Sequence, residues 1–168
     1  MPTVPFDSLP DDARVWVFGS SKPLSEKEAS MLLARVDEFL ADWKAHGDPL
    51  TAARMFSSGR FLTIAVDQHT ANASGCSIDG LFRSLKDLEV QIGASLLDRS
   101  LVYYSDDTGT HSVHRDEFSA LAASGAVTGD TAVFDPTVTT LGEWRARLQS
   151  KAANSWHAGL FPTHSVRA

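Results

Sequence analysis

The chain has 168 residues, a length that suits one domain or one domain with a C-terminal extension. Apolar residues make up 43%, with four Trp and nine Phe, so the chain can bury a core and wholesale disorder is excluded. Fifteen Lys plus Arg against 21 Asp plus Glu give a formal charge of -6, and no dense basic run supplies the face that a nucleic-acid partner needs.

Residues 1–13 read as a flexible lead-in, because Pro2, Pro5 and Pro10 discourage regular structure. They contain neither the basic region nor the apolar core of a signal peptide, and no run along the chain has the apolar length of a membrane span. The lone cysteine, Cys76, makes no intrachain disulfide. These features together predict a soluble cytoplasmic protein with no membrane partner.

Arg14-Val15-Trp16-Val17-Phe18 reads as a strand ending at Gly19. Ser25 with Glu28 forms a capping box. Ala29, Leu32, Leu33, Val36, Phe39, Leu40 and Trp43 then recur at the helical period, and Gly47 is the expected helix stop. Two extended runs, Thr51 to Phe56 and Arg60 to Val66, flank a hairpin turn at Ser57-Ser58-Gly59. The second run is almost wholly apolar, as a central strand would be. Ile78, Leu81, Phe82, Leu85, Leu88 and Ile92 mark the face of a second helix closed by Gly93, and Leu101 to Tyr104 reads as a fourth strand.

The order strand, helix, strand, strand, helix, strand predicts an α+β fold with a ferredoxin-like split βαβ core (βαββαβ) over residues 14–106. Residues 107–168 are expected to form an extension packed on that core, covering the open sheet face. Within it, His111 to Val113 either extends a strand or starts a cap. Arg115 to Ser124 reads as a helix ended by Gly125, Ala132 to Phe134 as a short strand, and Thr140 with Glu143 as another capping box. Trp156-His157 anchors the tail or contributes an interface, and the residues beyond are expected to fray.

The chemistry concentrates around Ala73-Ser74-Gly75-Cys76-Ser77-Ile78-Asp79, where the second helix begins. Orphan N–H groups at a helix entrance favour an anion and draw a thiol toward thiolate. Gly75 permits close approach, while Ser74, Ser77 and Asp79 cap the helix or orient a bound group. Three readings of Cys76 stay open: a small buried hydrophobe, a ligand contact, and a reactive thiol. For the last, the candidate catalytic set is Cys76 as nucleophile, His69 or His46 as base, and Asp67 as the group orienting the imidazole. Ser74, Gly75, Ser77 and Asp79 form the candidate binding set, suited to a small anionic ligand.

Metal ligation is not assigned. Cys76, His46, His69 and Asp67 lack the spacing of a zinc motif, and His111 with His114 also suits a strand-to-helix turn. Gly75-Cys76-Ser77 and Gly19-Ser20-Ser21-Lys22 both lack the nucleotide-loop pattern, and no cofactor is indicated. Arg54 and Arg60 read as exposed cations beside the hairpin.

Trp43 with His46-Gly47, Arg60-Phe61-Leu62 leading to Val66-Asp67, Ser74-Gly75-Cys76-Ser77-Ile78-Asp79, and Val133-Phe134 before Thr140-Leu141-Gly142-Glu143 together carry a resemblance. Over about residues 14–157 the chain resembles a family of uncharacterised bacterial proteins, found especially among Bacteroidetes and related groups. Its members are often labelled "ABC transporter ATPase". That label implies nucleotide hydrolysis, whereas this chain carries no Walker pattern, and the resemblance assigns no catalytic residue.

Three functions follow from these readings. The first is a small-ligand-binding or interaction domain with its site at the Ser74–Asp79 loop. The second is a cysteine-dependent enzyme or thiol redox protein using Cys76. The third is an assembly component, a homodimer through a sheet edge or the C-terminal segment.

Overall fold

The computed structural model describes residues 4–45, 48–69 and 75–162. They form a mixed α+β fold divided into two compact units, residues 1–97 with 136–145, and residues 98–135 with 146–168. This division differs from the expected one after residue 106: the first unit closes before the fourth expected strand, and it takes back a later segment.

In the first unit a three-stranded antiparallel sheet has β1 (Arg14–Gly19) and β4 (Thr51–Ser57) on either side of β5 (Phe61–Asp67). Helix α1 (Glu26–Ala41) follows β1, and helix α2 (Gly75–Ile92) follows β5. A two-residue ladder of β2 (Lys44–Ala45) and β3 (Asp48–Pro49) lies between α1 and β4. The α1 capping box forms as expected: Glu28 N–H donates to Ser25 Oγ at 3.1 Å, and Ser25 N–H donates to Glu28 Oε1 at 2.9 Å. The helix ends at Ala41, so Trp43 is buried just beyond it; the expected stop at Gly47 lies outside the described residues. Ser58 and Gly59 both take positive φ (57° and 67°) in the β4–β5 hairpin, the backbone such tight turns require.

Strand alternation decides what covers each sheet face. Phe18, Ala52, Leu62, Ile64 and Val66 pack with Leu32, Val36 and Leu40 of α1 and Leu81, Leu85 and Leu88 of α2. Val15, Ala53 and Ala65 alternate to the opposite face and pack with Phe6, Leu9, Val138, Leu141 and Trp144. With both faces covered, β5 is buried from Phe61 to Val66. Of the C-terminal extension, residues 138–144 supply cover on this face, joined by the N-terminal segment. Residues 1–13 were expected to be a loose lead-in, but Phe6, Leu9 and Ala13 are buried and Val4 N–H donates to Ala52 O at 3.0 Å. The prolines prevent a helix or strand there but not packing; Phe6 meets Trp144 edge-on at 5.0 Å.

The ferredoxin-like sheet needs correction. Three of the expected strands form one sheet in the order β1-β5-β4, but Leu101–Tyr104 does not join them. Among the described residues, the place beside β1 holds an isolated bridge, Arg14 to Thr140, with Val15 N–H donating to Thr139 O at 2.9 Å. Instead β6 (Leu101–Asp106) is internal to the second unit's antiparallel sheet, ordered β7 (Gly109–His114), β6, β8 (Ala132–Phe134), β9 (Gln149–Lys151). The physical reason is local: the Asp106–Gly109 turn folds β7 straight back on β6, and the remaining edge of β6 pairs with β8. Helix α3 (Arg115–Ser124), ended by Gly125 at φ 82°, packs Phe118 and Ala122 with Val102, Tyr104 and Val133. Helix α4 (Leu141–Arg147) starts at the expected Thr140–Glu143 box, with Glu143 N–H donating to Thr140 Oγ1 at 3.2 Å.

Trp144 Nε1–H donates to Thr63 Oγ1 at 2.8 Å, tying the returning segment to the central strand. Replacing Thr63 by Val keeps the shape and removes the acceptor, and should cost the first unit about 1–3 kcal/mol. Leu85→Ala, which opens a core cavity, should cost about 2–5 kcal/mol. Equilibrium denaturation followed by tryptophan emission checks both.

Candidate functional site

The expected centre begins where β5 ends. Asp67 Oδ1 accepts the backbone N–H of His69 at 2.9 Å, an Asx turn that bends the chain out of the strand. The Asp67–His69 contact described is therefore carboxylate to main chain. The His69 ring turns elsewhere: its Nε2 lies 2.8 Å from Asp12 Oδ2, with both side chains about two-thirds exposed. His69 and Asp67 are thus close in space but not in the imidazole–carboxylate arrangement of a relay.

Cys76 is the second residue of α2, the helix entrance expected from the sequence, with Gly75 opening the helix and Ser77 following. Only the backbone placement of Gly75, Cys76 and Ser77 is described. Asp79 is exposed within the same helix, whereas His46 and Ser74 lie outside the described residues.

One turn beyond Cys76, the backbone of Gly80 lies against the Phe39 ring, where an added Cβ would stand 3.4 Å from Cε2. Alongside this contact the two helices leave a half-open groove of about 310 Å³, lined by Arg35, Glu38, Phe39, Asp42, Trp43 and Ser84. Phe39 and Trp43 are paired with ring centroids 5.4 Å apart, and Arg35, Glu38 and Asp42 are exposed. The groove combines an aromatic back wall with charges of both signs.

The two arginines expected as free surface cations are otherwise engaged. Arg54 binds Asp37 through Nε and Nη2, each at 2.9 Å, and this pair holds the Asp37 carboxyl below its usual value. Arg60 is buried, with Nη1 donating to Ser20 O at 3.3 Å, because the hairpin turns it inward beneath the Gly19–Ser20 backbone. The histidine pair also separates. His111 Nε2 lies 2.8 Å from Asp106 Oδ1 and 2.9 Å from Thr108 Oγ1, while His114 Nδ1 lies 3.4 Å from Ser100 Oγ. Among the described residues, no group of three or more His, Cys, Asp or Glu could hold a metal ion.

A second polar cluster, not anticipated from the sequence, lies within the second unit. Asp135 is buried just after β8; its Oδ1 accepts Trp156 Nε1–H at 3.2 Å and its Oδ2 accepts Arg147 Nη1–H. Next to Trp156, His157 is fully buried in the turn Trp156–Leu160. The sequence offers no signal for this convergence, since Asp135, Arg147 and Trp156 sit on three separate elements.

A scan against protein-family models and searches of curated proteins and of solved structures found no match. No helix among the described residues is long and apolar enough to cross a membrane.

Removing the buried acceptor should be costly: Asp135→Ala takes the acceptor from the Trp156 indole N–H and a carboxylate partner from Arg147. With Arg147 half-exposed, the expected loss is about 2–3 kcal/mol, measured by denaturation. In the β6–β7 turn, hydrogen bonds from Thr108 and His111 pull the Asp106 carboxyl from 3.8 down to about 2. Its contribution to stability is therefore complete above pH 3.8 and fades as pH falls toward 2. Thr108→Ala should raise that titration midpoint, readable from the carboxyl carbon resonance.

Proposed function

We propose that this chain is a small-ligand-binding or interaction domain whose first unit binds along the α1–α2 groove. The observation that carries the reading is the groove itself. Its volume, about 310 Å³, lies at the small end of ligand sites, and its wall pairs an aromatic surface with a few converging polar groups. Helix α2 links it to the Ser74–Asp79 loop, because Ser84 follows Asp79 on the same helix. Glu38 and Asp42 make it a poorer match for a simple anion than for a neutral or zwitterionic molecule with a flat apolar part, whose acidic group Arg35 would meet. The engagement of the His69 ring by Asp12 favours binding over relay catalysis.

Ser84→Trp fills the groove from the α2 side and provides the test. In a fragment screen read by amide chemical shifts, ligands should perturb Arg35–Trp43 and Gly80–Ser84 in the native chain and lose that effect in the variant. Ligands that bind equally well to both forms, or no ligand at these amides, would overturn the assignment.

One observation favours a second reading, a thiol-dependent activity: the 18-residue helix α2 carries Cys76 in its first turn. The N–H groups of a helix entrance favour thiolate. Alkylation of Cys76 followed against pH should then show a midpoint well below about 8.5, the value of a free thiol. His69→Gln should leave that midpoint unchanged, since the ring is committed to Asp12. A midpoint at or above the free-thiol value removes this reading and leaves the groove untouched.

A further inference from the structure

We infer that the turn Trp156–Leu160 is an acid-released latch on the second unit, shut only while the His157 ring is neutral. The geometry begins with burial. His157 is 0% exposed, stacked on Trp156 with centroids 3.9 Å apart and set edge-on to Phe118 at 5.8 Å. Its Nδ1 lies 2.6 Å from Ser155 Oγ, while its buried Nε2 has no hydrogen-bond partner among the described residues.

That arrangement accepts only one protonation state. A neutral ring can carry its proton on Nδ1, donate it to Ser155 Oγ, and turn a bare Nε2 toward apolar packing. An imidazolium must carry a second N–H at Nε2, leaving a charged donor buried without an acceptor. The charged groups acting on the ring do not reverse this. From α3, Arg115 opposes a cation, and its guanidinium also lies over the Trp156 ring at 5.5 Å. From the end of β8, Asp135 favours a cation, but its carboxylate already receives Arg147 and the Trp156 indole. Phe118 and Phe161, themselves paired at 5.9 Å, add no charge.

Burial accordingly lowers the ring from its ordinary 6.5 to about 4. A depressed histidine stabilises the closed turn fully above 6.5, and that stabilisation is lost as pH falls through 6.5 toward 4. Linkage over this interval makes opening about a hundredfold easier at pH 4 than at pH 7. Opening frees the Trp156 indole from Asp135 and uncovers Phe118, so acid would turn a closed surface into an apolar, adhesive one.

Hydrogen exchange of the Trp156 indole N–H on the full chain reads the latch directly. Its protection, corrected for intrinsic exchange, should fall about a hundredfold between pH 7 and pH 4 in the native protein. In His157→Phe, which keeps Asp135 and the ring stack, protection should fall much less. Equal pH dependence in both proteins would overturn the latch. Should that variant fail to fold, the Cε1–H resonance of His157 in the native protein decides alone: a midpoint near 4 supports the latch, and one at or above 6.5 refutes it.

Discussion

The first unit depends on one constraint, a central strand that is apolar on both faces. Leu62, Ile64 and Val66 point one way, Phe61 and Ala65 the other, and all are buried. At about 25 cal/mol per Å² of apolar surface, leaving either face wet would forfeit several kcal/mol. Two amphipathic helices cover one face, because each follows a strand and carries a stripe of leucines. The other face needs a second layer, and the chain supplies it from both sides: residues 4–13 before the first strand and 136–145 after the second unit's β8. That need brings Trp144 into hydrogen-bond contact with Thr63, 81 residues away.

Packing of the two helices on one face also generates the groove. Gly80 lets the Phe39 ring lie against the α2 backbone, and charged residues of α1 stand beside that contact. The groove is therefore a by-product of core packing: its aromatic wall, Trp43, belongs to the core while Arg35, Glu38 and Asp42 remain in solvent. The second unit solves a different problem. Its sheet and α3 bury a smaller core than that of the first unit, and part of its order comes from polar contacts: Asp135 gathers Arg147 and Trp156, and Trp156 in turn stacks on His157. Such a network is strong when complete and sensitive to any change of charge within it.

Of the expected site, the helix entrance was legible because it depended on short-range rules, whereas the groove residues were not, since α1 and α2 meet only in the folded chain. The helix entrance at Gly75–Cys76 followed from a small-residue loop preceding a helical apolar period, and the chain obeys it. The partners assigned to Cys76 did not follow. His69 stands two residues beyond Asp67, yet its ring lies against Asp12, 57 positions earlier, because the Asx turn directs the chain away from the strand. Arg60 looked like a surface cation and is buried, since only the hairpin geometry reveals which side of the turn it occupies.

The amino-acid sequence by itself determined the local elements: the capping boxes at Ser25 and Thr140, the helix end at Gly125, the hairpin around Ser58-Gly59, and the central apolar strand. These rest on interactions a few residues apart, whose patterns a linear chain carries openly. Tertiary structure alone decided that Leu101–Tyr104 leaves the first sheet for another, that the proline-bearing N-terminus packs, and that Asp135, Arg147 and Trp156 meet. An apolar strand has the same alternation whichever edge it joins, so its pairing is set by competition among distant partners and not by its own residues.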